Sequence, residues 1–347
     1  MQPRSRAVRL AGLTLTTPLL IPSVSSRGFP LDGSGIAESS LLLQYAEDAL
    51  SESLLVSGYD LHHHTLVGGD ALLDERGGFD TVFDRPQLLV VDSGGYETGS
   101  SWESGHINRE ASPARRFSED NYVSVVDRLS HERPTMVVSY DGPEANRGSY
   151  QDQIRAAQRF FAARSHFAHD LLLKPPATEE FHHARALAAA APDLVGFDVI
   201  GFTEKELGGR FLLRLETLAR LRVVLDDAGV TAPIHLFGAL DPLFTPVYFA
   251  AGAEIFDGLS WLRYAYCDGL AVHPEAGTLL RGGDDDGPDL RDALRVTVNL
   301  GELSRLKRQM ERYASASARG FDEFGSHGQL MSQTYATMVA RINRGRG

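Results

Sequence analysis

The chain is predicted to be a (β/α)8 barrel, a TIM barrel, with a short C-terminal helical extension. Three observations lead there. Eight short apolar runs recur between residues 19 and 259, separated by segments of helical or polar character. Most of the runs end in an acid, a glycine or a hydroxyl, the residue types a barrel gathers at the C-terminal mouth of its strands. No Gly-rich phosphate loop follows the first run, Leu19–Val24, as a doubly wound sheet usually carries.

Taken in order, the chain opens with Arg4, Arg6 and Arg9 ahead of residues 10–22, a superficial imitation of a secretory signal. Thr14, Thr16, Thr17 and Pro18 interrupt the apolar run, and no clear small-residue cleavage site follows, so the segment reads as the first strands of the fold. The candidate strands are Leu19–Val24, 54–57, Leu88–Asp92, 135–141, 171–174, 195–201, 233–238 and 254–259. Candidate helices between them are 149–169, 179–190, 204–228 and 242–251. Residues 282–288 form a Gly-rich acidic stretch without the further ligands of a calcium loop, and read as a solvated link to a helical piece at 299–315. The expected organisation is a barrel domain over 1–280 and a linker with helical extension over 281–347, with no internal repeat.

Composition narrows the class. Hydrophobic residues at 43% and charged residues at 23% are ordinary for a globular chain. One cysteine, Cys267, leaves no internal disulfide and no multi-cysteine metal site. No run approaches the roughly 20 apolar residues that span a bilayer; the expectation is a cytoplasmic protein without a membrane partner. The net charge of −12 argues against broad nonspecific polyanion binding, but residues 299–347 hold eight Lys and Arg against four Asp and Glu. That local +4 reads as a solvated helix; a polyanion-facing surface is the alternative.

The chemistry concentrates at predicted strand ends. Leu88–Asp92 runs into Ser93-Gly94-Gly95-Tyr96, which lifts a carboxylate to a strand tip beside glycines that let a ligand approach the backbone. Ile255-Phe256-Asp257-Gly258 repeats the pattern. In a barrel these tips share one mouth with Ser57-Gly58-Tyr59, Asp141, Lys174, Ile200-Gly201 and Phe237-Gly238. Three acids converging there repel one another, which drives their pKa values apart and suits an acid/base division of labour. His62, His63 and His64 lack a paired ligand motif and read as surface or mouth-lining groups.

Asp92-Ser93-Gly94-Gly95-Tyr96-Glu97 resembles the DSGG(F/Y)Q motif of the tRNA-guanine transglycosylases, the queuine and archaeosine tRNA-ribosyltransferases. His235-Leu236-Phe237-Gly238, followed in register by the segment from Phe256-Asp257 to Arg263, resembles that family's HLMG and FDCxxPTR segments. The likeness covers roughly residues 5–315 and is patchy between motifs. It implies exchange of a guanine base for a 7-deazaguanine through a covalent aspartyl-ribosyl intermediate, with Asp257 as nucleophile and Asp92 moving the proton between leaving and entering bases. Asp141 would accept from the base edge, Gly201 would bring backbone close to the base, and Ser93, Gly94, Gly238 and Arg263 would complete the substrate site. Tyr96 and Phe237 would sandwich the base, with packing at the barrel top as the other reading. Lys174 stands where the family tends to carry glutamine; it would donate to a base carbonyl, pair with Asp141, or be an ordinary surface lysine.

The chain departs from the family at Glu97 in place of glutamine, Ile200 in place of glycine, and Gly258 in place of cysteine. The family's three-cysteine, one-histidine zinc site is missing, so no metal and no cofactor is expected. The expected partners are a guanine or 7-deazaguanine base and a nucleic acid, tRNA ahead of DNA, with a homodimer as a further family trait. The same exchange on a free nucleoside or nucleotide, and a noncatalytic subunit of a transglycosylase, are the other readings. An unrelated barrel enzyme with a coincidental DSGG is the last.

Overall fold

The computed structural model describes residues 3–46, 49–73, 81–98, 114–141, 147–282, 287–316 and 320–344. A hairpin, β1 (Ala7–Leu10) and β2 (Leu13–Thr16), leads into the barrel strands. These are β3 (Leu19–Val24), β4 (Ser53–Ser57), β5 (Leu88–Asp92), β6 (Thr135–Val138), β7 (Ala168–Leu173), β8 (Val199–Thr203), β9 (Ile234–Phe237) and β10 (Ile255–Gly258). They pair in parallel in sequence order, and β10 closes onto β3, so the (β/α)8 barrel expected from the runs is the fold.

Residue parity along each strand divides the core in two. Leu19, Ile21, Leu55, Val90, Met136 and Ile255 belong to the cluster that fills the barrel interior. The intervening residues, such as Leu20, Val56, Leu89, Val137 and Phe256, pack outward with the helices in a second cluster. Val8, Leu10 and Leu15 of the hairpin join the interior cluster, beside the residues that begin the strands. The hairpin is therefore the floor of the barrel, and the strand C-termini are left as the mouth. Arg6 clamps this floor, donating to both oxygens of Glu254 at 2.8 Å and to the Thr231 carbonyl at 2.7 Å.

Several boundaries differ from the pattern-based ones. The helix expected over 149–169 ends at Ala162, and Ala168 and His169 already belong to β7. The strand expected from 195 begins at Val199, because Val195 is exposed in the turn after a 3-10 segment, Ala191–Leu194. The helix over 204–228 divides into a 3-10 turn, Glu204–Leu207, and the helix Phe211–Asp227, broken at Gly208 and Gly209. The helix over 179–190 contracts to Ala184–Ala188. Asp241 accepts the N–H groups of Leu243 and Phe244, which holds a turn and delays the next helix to Thr245–Ala251.

The C-terminal helix starts at Pro288 rather than 299 and runs to Ser315, and a further helix, Gly328–Arg344, follows. Both bury residues in the outer cluster, Leu300, Met310 and Met338 among them. The acidic stretch over 282–288 falls largely on residues 283–286, outside the described residues. Some of the C-terminal cations are held in ion pairs: Lys307 with Glu52, Arg312 with Glu323 at 2.7 Å, and Arg341 with Glu216 at 2.7 Å. No helix among the described residues is long and apolar enough to cross a membrane.

Candidate active site

Strand parity sets the site. Asp92 lies two residues beyond the inward Val90, and Asp257 two beyond the inward Ile255, so both carboxylates point into the barrel at its mouth. The strand tips are tied from outside. Tyr122 donates to the Val138 carbonyl at 2.6 Å and to the Val91 carbonyl at 3.1 Å, joining β5 to β6. The Trp261 indole donates to the Ser23 carbonyl at 2.9 Å, joining the segment after β10 to β3.

The two acids meet different surroundings. Asp257 accepts from Ser23 Oγ at 2.9 Å through Oδ2 and from the Gly238 N–H at 3.0 Å through Oδ1. Asp92 accepts a long bond from the Gly94 N–H, 3.3 Å, and is also approached by the Ser93 backbone N–H. Burial, and then the nearby Asp141 and Asp257, push Asp92 up to about 7. Asp257 is thus a carboxylate fixed in orientation by donors, whereas Asp92 is poised to take or give a proton near neutral pH.

Asp141 closes the third side. Ser93 donates to its Oδ1, and Lys174 Nζ lies 3.4 Å from its Oδ2. Gly95 makes this arrangement fit, because a Cβ there would collide with both Asp141 carboxylate oxygens. Lys174 is buried, so its reading as a surface lysine is overturned. Its backbone is held at both ends by the Gln153 amide at 2.9 Å, and Nζ donates to Thr203 Oγ1 at 2.7 Å and pairs with Glu206 at 3.3 Å. Burial pulls the lysine down, but Asp141 and Glu206 outweigh it and keep it raised.

Tyr96 stands half-buried beside two cations, with the Arg27 guanidinium 5.2 Å and that of Arg263 5.9 Å from its ring centre. Arg263 also donates to the Tyr96 hydroxyl at 3.1 Å and to the Arg27 carbonyl at 2.8 Å. Phe237 turns inward and stacks on the His235 ring with centres 3.8 Å apart. Its ring lies over Gly201, where a Cβ would come within 2.6 Å of Phe237 Cε2. Asp92, Asp141, Asp257, Lys174, Ser93 and Gly238 are therefore brought together by direct contacts or mutual charge; Tyr96 and Arg263 form a neighbouring aromatic–guanidinium group.

Sequence reasoning missed what lies beneath. The sequence reading gives His235 no role, and it leaves Asp170 between the helix expected over 149–169 and the strand expected from 171. Both are fully enclosed, and His235 Nδ1 meets Asp170 Oδ2 at 2.6 Å. Its Nε2 is 3.4 Å from Asp257 Oδ1, within ion-pair reach but outside hydrogen-bond geometry. Burial pulls His235 down, yet Asp170 and Asp257 together hold it up to about 9. The available signal was parity: Asp170 shares the inward phase of Ala168 and Leu172. Ser23 shares the phase of Leu19 and Ile21 in the same way. The chain's single cysteine does not supply a zinc site of the transglycosylase type. Among the described residues no group of three or more His, Cys, Asp or Glu is arranged to hold a metal; the rings of His62 and His63 pack around Phe117, and His64 pairs with Asp70 at 2.5 Å.

No family model matches the chain. It is 22% identical over 264 residues to the tRNA-guanine(15) transglycosylase of Haloferax volcanii, covering 75% of this chain and 46% of that protein. It is 24% identical over 267 residues to the enzyme of the same name from Haloarcula marismortui, covering 74% of this chain and 48% of that protein. The chain spans about half the length of these curated relatives.

Proposed function

We propose that this chain, a divergent relative of the tRNA-guanine transglycosylases, exchanges a guanine base in a nucleic acid, tRNA foremost, for a 7-deazaguanine. One observation carries the reading: two inward strand-tip carboxylates share the mouth, one held by donors and one raised by burial to about 7. An Asp257 oxygen bonds to C1′ of the ribose as the glycosidic C–N bond breaks, and the electron pair leaves with the base, which takes a proton from Asp92. The entering base then gives its nitrogen proton to Asp92 and bonds to C1′, while the C1′–O electrons return to Asp257. Two displacements retain the anomeric configuration.

The remaining roles follow from chemistry. Asp141, with Gly95 leaving room beside it, accepts from N1–H and the exocyclic amine of the base. Lys174 holds Asp141 in place and offers a donor to a base carbonyl. Tyr96, beside Arg27 and Arg263, offers an aromatic surface to the base or ribose edge, and Arg263 a charge toward phosphate. Gly201 and Phe237 supply the apolar floor, and Gly94 and Gly238 the N–H groups that hold the two acids.

The test is base exchange. Radiolabelled guanine or preQ0 is offered with bulk tRNA, duplex DNA or GMP as acceptor. Label entering tRNA, with a covalent enzyme–nucleic acid adduct that vanishes in Asp257→Ala, is the expected result. Asp92→Asn should slow exchange by roughly 10²–10⁴-fold. Label in DNA or GMP alone would move the acceptor, and no label in any acceptor with a folded protein would sink the reading.

A further inference from the structure

Building on the transglycosylase reading, we propose that Asp170 and His235 are positioning residues for Asp257, presenting an imidazolium to the nucleophile from inside the barrel. Asp170 on β7 and His235 on β9 reach each other across β8, where Gly201 contributes no side chain; a Cβ there would stand 3.0 Å from Asp170 Oδ1. His235 Nδ1 is spent on Asp170 at 2.6 Å, and the Phe237 ring fixes the imidazole plane from one face. That leaves Nε2 as the working end of the ring. It is buried, has no hydrogen-bond partner, and faces Asp257 Oδ1 at 3.4 Å.

A carboxylate–imidazole pair with both members fully enclosed is expensive to keep in a barrel interior, where apolar residues fill the other layers. Its position is explained by the charge cycle of Asp257. The side chain carries a negative charge when free and none as the ribosyl ester. A positive ring at 3.4 Å favours the carboxylate over the ester. It therefore makes Asp257 a better leaving group in the second displacement and keeps the ester from accumulating. Burial pushes Asp170 up while the facing His235 draws it down, and its hydrogen bond to Nδ1 fixes the orientation of the ring. The titratable groups facing the ring are Asp170 on one side and Asp257 on the other, with Asp92 beyond Asp257.

Two readouts separate this proposal from the function it builds on. The first needs no substrate: ¹⁵N-histidine NMR of the full chain, with the His235 signal identified by its loss in His235→Gln. Both ring nitrogens should be protonated at pH 7.5. The midpoint should fall by about one pH unit or more in Asp170→Asn and in Asp257→Asn. A neutral ring, or a midpoint blind to Asp257→Asn, overturns the proposal whatever the enzyme does. The second is the fraction of enzyme trapped as adduct during turnover on the acceptor the wild type uses. In His235→Gln and Asp170→Asn it should rise roughly tenfold as kcat falls, and KM for the acceptor should fall with kcat because the second displacement is the slowed step. A folded variant with lower kcat and no rise in adduct also overturns the proposal. A wild type that forms no adduct with any acceptor refutes the transglycosylase reading instead, and leaves the NMR coupling to decide the linkage of the three residues.

Discussion

Glu97 shows what one substitution does in this site. It stands where the resembled motif carries glutamine, and it is buried, accepting from Ser25 Oγ at 2.5 Å and Ser57 Oγ at 2.8 Å. Burial, then Asp60 and Asp92, push it up to about 8, so at neutral pH it is an uncharged acid with one donor and one acceptor, close in shape and bonding to an amide. The sign of its linkage follows. Between pH 4.5 and about 8 the unfolded chain has lost this proton and the folded chain keeps it, so stability falls as pH rises through that window. Glu97→Gln should therefore stabilise the protein, with a gain that grows by roughly 1 kcal/mol per pH unit between pH 5 and 8. Urea midpoints across that range check it; a gain independent of pH would mean that Glu97 is ionised in the folded state.

At the scale of elements, the barrel works because its two ends are treated differently. The mouth is built from polar strand tips, and the floor from a hairpin whose Val8, Leu10 and Leu15 seal the apolar interior. Leu10 is 1% exposed, so Leu10→Ala should cost about 2–4 kcal/mol through lost burial and a residual cavity. Denaturant unfolding measures this, and base exchange should survive where the variant is folded, since the hairpin lies at the end away from the acids. A cost below about 1 kcal/mol would show that the hairpin is not part of the cooperative core. The Gly208-Gly209 break belongs to the same scale: it ends the 3-10 turn that carries Glu206 to Lys174 before the long helix Phe211–Asp227 begins.

Taken whole, the molecule is acidic, with a net charge of −12, and some of its C-terminal cations are engaged with acids such as Glu52, Glu216 and Glu323. The C-terminal helices thus brace the outer core, with part of their positive charge held in these pairs. The proposed nucleic-acid acceptor would meet Arg27 and Arg263 beside the mouth. If tRNA is the acceptor, the logarithm of affinity should fall linearly with the logarithm of salt concentration, each phosphate contact adding roughly −0.9 to the slope. Filter binding or fluorescence titration at several salt concentrations reads this directly. A flat profile would point to a free nucleoside or nucleotide acceptor.

What the amino-acid order determined by itself was the barrel, its mouth and the acids on it. Eight apolar runs with acids and glycines at their ends are a local pattern, and Asp92, Asp141 and Asp257 are legible because strand tips in this fold converge on one place. Element boundaries were less legible where chain-end chemistry competes with periodicity, as at Asp241, whose side chain holds a turn inside an apparent helix. Only the tertiary structure decided the second layer. Whether Lys174 is exposed or buried, whether Phe237 faces the mouth or stacks on His235, and whether Asp170 meets an imidazole depend on which strands become neighbours and how far they are sheared. Those contacts join residues tens of positions apart, and no local pattern encodes the distance between them. One residue of register separates an inward charge from an outward one, and Asp170 fell between the expected helix and the expected strand, so the partner of His235 was set only when the strands closed.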